Sequence, residues 1–134
     1  MFDIRWIREN PEDFDWGLAR RGLEPISARL IEIDKNHRAA LTTAQECKAE
    51  RNKLSKLIGA AKAKGEDAAE TIAKVSESKK IEADAEEKAS TFGAELEEVM
   101  SALPNIPADD VPDGEDETSN IEIRKVGDIP PFDF

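Results

Sequence analysis

Apolar and small residues recur along the middle of this chain at alternating intervals of four and three. Ile26, Leu30, Ile33, His37, Ala40, Ala44, Cys47, Arg51, Leu54, Ile58 and Ala61 form one unbroken series. The mean spacing of about 3.5 is that of a coiled-coil seam, and recurrent alanine lets a partner helix approach closely. No proline falls between Ile26 and Ala61, so a rod roughly 50 Å long is expected at ~1.5 Å per residue. Gly65, set among Lys62, Lys64, Glu66 and Asp67, signals a turn. A second series returns through Ala68, Ile72, Val75, Ile81, Ala85, Ala89, Phe92, Leu96, Val99 and Leu103, and Pro104 ends it. Read by apolar residues, it loses phase between Val75 and Ile81. A fold at Gly65 brings Ile58 to Ile72, Leu54 to Val75, Ala44 to Ala85, Ile33 to Leu96 and Ile26 to Leu103. Paired numbers then sum to 129 or 130. So short a connection forces an antiparallel pair.

The first 22 residues read as one or two short helices. Asp3 is a candidate cap, Asn10-Pro11-Glu12-Asp13 a second helix start, and Arg20-Arg21-Gly22 its stop. Phe2, Trp6, Phe14, Trp16 and Leu18 gather here, which predicts a small packed base. Residues 105–120 are acidic and turn-rich. A calcium loop is excluded, because with Gly114 sixth the third position is Val111 and the twelfth Asn120. Asn120 to Val126 alternates as one short strand, which is not stable without a partner. The fold expected is all-α: a long antiparallel two-helix coiled-coil hairpin, a small N-terminal helical base, and an irregular C-terminal tail with one short strand. The division is an arm over 1–104 (base 1–22, hairpin helices 26–64 and 67–103) and a linker over 105–134.

Composition supports helices with a narrow seam: 37% of residues are charged and 5% aromatic. The net charge of -11 would by itself argue against nucleic acid. The average hides an asymmetry. Between Glu46 and Lys80 lie nine bases and six acids, whereas the remainder carries ten bases and twenty-four acids. The distal half of the hairpin is mildly basic and everything else strongly acidic, so a phosphate backbone would be steered to the tip. The bland reading of such mixed charge is a solvated coiled-coil flank. Cys47 is the single cysteine, which excludes a disulfide framework within the chain and a zinc site with four thiolate ligands. Cys47 and His37 both fall on the seam, as a small core residue and a polar spacer rather than a catalytic pair. No apolar run suits a leader or membrane span, so a cytoplasmic location is expected.

Several strings, in order, resemble the N-terminal domain of bacterial seryl-tRNA synthetases. They are Ile7-Arg8-Glu9-Asn10-Pro11, Arg20-Arg21-Gly22, Arg51-Asn52-Lys53-Leu54-Ser55-Lys56 with Ile58-Gly59, and Leu103-Pro104-Asn105-Ile106-Pro107. Val111-Pro112-Asp113-Gly114-Glu115-Asp116-Glu117, then Asn120, Gly127 and Phe132-Asp133-Phe134, complete the set. No one string is specific, but their combination spans essentially the whole chain. The resemblance implies a coiled-coil arm that reaches the long variable arm and elbow of serine tRNA. It also implies a class II catalytic domain, absent from this chain, that attaches serine using ATP and Mg²⁺ in a homodimer. This chain alone is then expected to be a monomer, to hold no cofactor and to be inactive. The strand at 120–126 would dock on the absent domain.

Within the arm motif the resemblance points to Arg51, Asn52, Lys53, Ser55 and Lys56 as tRNA-binding. Lys48, Lys62, Lys64 and Lys74 join them as phosphate contacts in a set. Arg51 is on the seam, with Ser78 or Lys79 opposite. It is expected either to present its guanidinium outward or to act as a register device. A coiled-coil module that binds another protein is the competing reading.

Overall fold

The computed structural model describes residues 2–65, 67–114, 116–128 and 131. Glu66, Glu115, Pro130 and the Phe132-Asp133-Phe134 string lie outside the described residues. Among the described residues four α-helices follow in order: α1 (Ile4–Glu9), α2 (Pro11–Ala19), α3 (Ser27–Lys64) and α4 (Ala69–Ala102), then a 3₁₀ turn at Glu117–Ser119. Among the described residues there is no strand, and no helix is long and apolar enough to cross a membrane.

The Asp3 carboxylate accepts from the Arg5 amide at 2.8 Å and caps α1. Asn10 does not cap α2 with its side chain. Its amide Nδ2 donates back to the Trp6 carbonyl at 3.0 Å and closes α1, while Pro11 begins α2. The start of α3 has no local side-chain cap either. Asp15, from α2, accepts from the amides of Ile26 and Ser27 at 3.0 Å each and from the Ser27 hydroxyl. A carboxylate eleven residues upstream thus satisfies the free donors of a helix start. Gly65 ends α3 at φ 75°, the left-handed conformation glycine adopts without a steric penalty.

α1 and α2 cover the open end of the hairpin. Ile7, Phe14, Leu18, Leu30, Ile33 and Leu96 form the buried cluster, flanked by Phe2, Ile4, Phe92 and Leu103 among others. Phe2 and Trp6 meet the Phe14 ring edge-on. Trp16, expected in this base, is exposed and lies under the Arg20 guanidinium, 5.1 Å from its ring centre. It stands two residues from Phe14 and from Leu18, and on a helix such a position faces away from both. Buried Asp34 of α3 ties the base to the hairpin, with Arg38 one turn on at 2.9 Å and Arg8 of α1 at 3.3 Å.

The hairpin keeps one register throughout. All eleven seam positions expected on α3 are shielded from solvent. On the returning side Ala68, Thr71, Val75, Ser78, Glu82, Ala85, Ala89, Phe92, Leu96, Val99 and Leu103 are all shielded and keep an unbroken spacing of three and four, joined near the base by Gly93, Glu95 and Met100. Ile72 and Ile81 are both 46% exposed. The expected loss of phase is therefore absent: three polar residues occupy seam positions, and two isoleucines fall just outside them. Ser78 donates to the Cys47 carbonyl at 3.1 Å. Arg51 turns inward rather than outward, its Nη1 2.9 Å from Oε2 of Glu82. That oxygen makes no aligned hydrogen bond, so the two are joined by charge at close range. The geometry follows from side-chain direction: both lean toward their own helix N-termini, which in antiparallel helices brings them together.

The tail does not carry the expected strand. Ile121, Ile123 and Val126 are 73%, 93% and 81% exposed and belong to no ladder. A lone alternating segment has nothing to pair its backbone with. The preceding stretch is docked on the base instead. Ile106 lies so close to Gly17 that a Cβ there would stand 2.7 Å from the Ile106 Cβ. Arg20-Arg21-Gly22 ends α2 as expected, with Arg20 as the C-cap and Gly22 at φ 70°, but the two arginine side chains reach the tail. Arg20 bonds Asp113 at 2.7 Å, the Ala108 carbonyl at 3.1 Å and the Val111 carbonyl, and Arg21 bonds the Asn105 carbonyl at 2.9 Å.

Two stability predictions follow from these contacts. Arg51→Leu strands a short buried carboxylate and is expected to cost about 3 kcal/mol, whereas in Glu82→Leu the long arginine can swing to water, costing about 1 kcal/mol. The double Leu variant should match or exceed the parent in urea unfolding.

Burial raises the Asp15 carboxyl, but its bonds from the Ser27 hydroxyl and the Ser27 and Ile26 amides outweigh that and hold it below its ordinary 3.8. A carboxylate depressed in the folded state stabilises fully above the unfolded value and stops doing so as pH falls through the folded one. Asp15→Ala should therefore cost about 1–2 kcal/mol at neutral pH. Its difference from the parent should vanish progressively below pH 3.8.

Candidate nucleic-acid interface

The continuous seam fixes where every other side chain of the distal hairpin points. Parallel to it on α3 runs Lys48, Asn52, Ser55, Gly59 and Lys62, spaced four and three. The matching stripe on α4 is Ile72, Ser76, Lys79 and Ala83. These two stripes make one flank of the rod. The other flank carries Glu46, Glu50, Lys53, Leu57 and Lys64 on α3, with Glu70, Lys74, Glu77 and Ile81 on α4. Lys56 and Lys80 stand on the outer ridges between the flanks.

Two observations fix which stripe faces which. Arg29 and Glu95 continue the second pair of stripes toward the base, and they meet at 3.2 Å. Lys74 feels the charge of Glu50 across the same edge. The first flank therefore holds Lys48, Lys62 and Lys79 with no acid, and the second holds the four glutamates at 46, 50, 70 and 77 beside its lysines.

Of the side chains proposed from sequence, Lys48, Asn52, Lys53, Ser55, Lys56, Lys62, Lys64 and Lys74 are all exposed. The structure does not gather them onto one face. Lys48, Asn52, Ser55 and Lys62 share the acid-free flank, whereas Lys53, Lys64 and Lys74 are on the other. The Arg51 side chain is only 27% exposed and committed to Glu82. Lys74 is paired with Glu70 one turn back at 2.8 Å. That hydrogen bond and the adjacent charge lower the Glu70 carboxyl below its ordinary value and raise the Lys74 ammonium. Lys79 was not singled out from sequence. Once Ser78 rather than Ile81 is placed on the seam, its position beside Lys48 follows from spacing alone.

Among the described residues no three His, Cys, Asp or Glu side chains are placed to hold a metal ion. The surface consists of spaced cations and neutral hydrogen-bonding groups on a stiff support. Such a surface can bind an extended polyanion.

The seryl-tRNA synthetase N-terminal domain family matches residues 1–107. A serine–tRNA ligase of Rhodospirillum centenum is 52% identical over 133 residues, 97% of this chain and 31% of that protein. One from Paramagnetospirillum magneticum is 47% identical over 134 residues, 100% of this chain and 32% of that protein. A crystal structure of seryl-tRNA synthetase from Pyrococcus horikoshii complexed with ATP superposes with a TM-score of 0.81. Its sequence identity is 33%, over 92% of this chain and 28% of that one. The chain thus spans about a third of the length of the relatives it matches.

The pairing of Lys74 has a direct readout. Lys74→Gln should move the Glu70 carboxyl midpoint up toward its ordinary 4.5, followed by carbon-detected NMR titration. An unchanged midpoint would show that Lys74 is not held by Glu70.

Proposed function

Because the chain belongs to the family of seryl-tRNA synthetase N-terminal domains, we propose that its hairpin is the arm by which a serine–tRNA ligase engages serine tRNA, at the long variable arm. The observation that carries the reading is a rigid helical rod whose exposed cations collect in its distal half while the rest of the chain is strongly acidic. Negative charge around the base repels a phosphate backbone, and lysines beyond it attract one.

Shape readout suits this arrangement. The major groove of duplex RNA is too narrow for side chains, so such duplexes are read through phosphates, 2′-hydroxyls and their placement in space. A 38-residue helix backed by a 34-residue one holds its lysines at fixed intervals. It therefore measures where a protruding duplex lies, and a tRNA with a short variable arm presents no such duplex. In this reading, serine activation with ATP and Mg²⁺ and the homodimer contacts belong to the whole cytoplasmic synthetase. The residues described here supply binding and orientation, and this chain by itself is a monomer without catalytic activity.

Fluorescence titration of the 134-residue chain with serine tRNA and with a short-variable-arm tRNA tests the reading. Serine tRNA should bind at least about tenfold more tightly. Its affinity should fall about a hundredfold between 50 and 200 mM salt, as for three or four released counterions. Equal affinity for both tRNAs would remove variable-arm recognition from this chain. No binding to either at low salt would leave a protein-binding hairpin as the better account.

A further inference from the structure

We infer that the arm meets RNA with one flank only, the acid-free one defined by Lys48, Asn52, Ser55 and Lys62 on α3 and Lys79 on α4. The inference rests on the tRNA-binding reading and goes further, since it divides the distal lysines into contacting and non-contacting sets.

Screening length decides the division. At physiological salt a charge is felt over roughly 8 Å, and one helical turn is about 5.4 Å. On the second flank Lys53 and Lys74 therefore share their neighbourhood with carboxylates. Glu50 is one turn from Lys53, and Lys74 lies between Glu70, at 2.8 Å, and Glu77. A phosphate approaching this side would meet alternating signs. On the first flank, Lys48, Lys62 and Lys79 have no acid on either stripe between them. Their charge stays available, and a polyanion gains from releasing counterions there.

The groups between those lysines fit the same partner. Asn52, Ser55 and Ser76 are exposed and donate or accept hydrogen bonds without bringing charge, as phosphate oxygens and 2′-hydroxyls require. Gly59, Ala69 and Ala83 keep the flank low, and the space where a Cβ of residue 59 would stand is open to 4 Å. Lys48 and Lys79 stand at nearly the same level on the two helices, and Lys62 is fourteen residues from Lys48. The cations thus span about 20 Å along the rod. The +3 of the distal half is a poor footprint when averaged over the whole cylinder, and a usable one when confined to a single side.

Two triple charge reversals with equal change in net charge test this: K48E/K62E/K79E on one flank and K53E/K64E/K74E on the other. Each is titrated with serine tRNA at several salt concentrations, with helicity by circular dichroism confirming the fold. The first set should lose about a hundredfold or more in affinity, and its log–log salt slope should fall by about three. The second should lose no more than a few-fold, through bulk charge alone. The matching Lys→Gln triples repeat the comparison if a reversal unfolds the tip. Equal losses from both sets, or a larger loss from the second, would overturn the one-sided contact while leaving tRNA binding in place. If the unaltered chain fails to bind serine tRNA at low salt, the tRNA-binding reading fails, and this inference with it.

Discussion

Two helices joined by a tight turn and packed antiparallel cannot change phase on one side alone. A slip on α4 would push every later residue off its partner on α3, along the whole remaining length to the base. Continuity of close packing therefore outranks the hydrophobicity of any single position. It explains why Thr71, Ser78 and Glu82 are on the seam while Ile72 and Ile81 are half exposed. Leaving two isoleucines in contact with water costs less than breaking the register of the base-proximal seam, where Leu30, Ile33 and Leu96 join the buried cluster of the base.

The same constraint generates the functional surface. Once the seam is continuous, each flank and ridge is determined, and charges that look interspersed along the sequence separate onto different sides. The polar seam segment around Cys47, Arg51, Ser78 and Glu82 lies where the distal half begins. It is held by one charge pair and one hydroxyl-to-carbonyl bond rather than by apolar burial. Buried polar groups of this kind are tolerated in coiled coils and can specify register. Here the antiparallel order and the N-terminal tilt of both side chains let Arg51 reach Glu82 without distorting either helix.

Much of this was legible in the residues. The α3 seam, the turn at Gly65 and the antiparallel order follow from spacing and a single glycine, because backbone geometry repeats regardless of context. The α4 phase was not, since a search for apolar residues prefers Ile72 to Thr71, and the correct choice needs the partner helix. Asp15 as the cap of α3 was also hidden: capping is sought one to three residues away, and this carboxylate is supplied from another helix. Arg20 and Arg21 read as helix-end cations because nothing local reveals that the tail returns over them. Of the candidate site, the set of exposed lysines was visible, but their division between two flanks depended on the corrected phase. That phase also brings Lys79 beside Lys48.

A spin-label accessibility scan along α4, one cysteine at a time from residue 68 to residue 89 in a Cys47→Ser background, tests the continuous register most directly. The account predicts an unbroken 3.5-residue oscillation with minima at 71, 75, 78, 82 and 85, and with Ile72 and Ile81 positions accessible. Minima at 72 and 81 with a phase break between 75 and 81 would contradict it, and the two flanks as drawn would no longer exist.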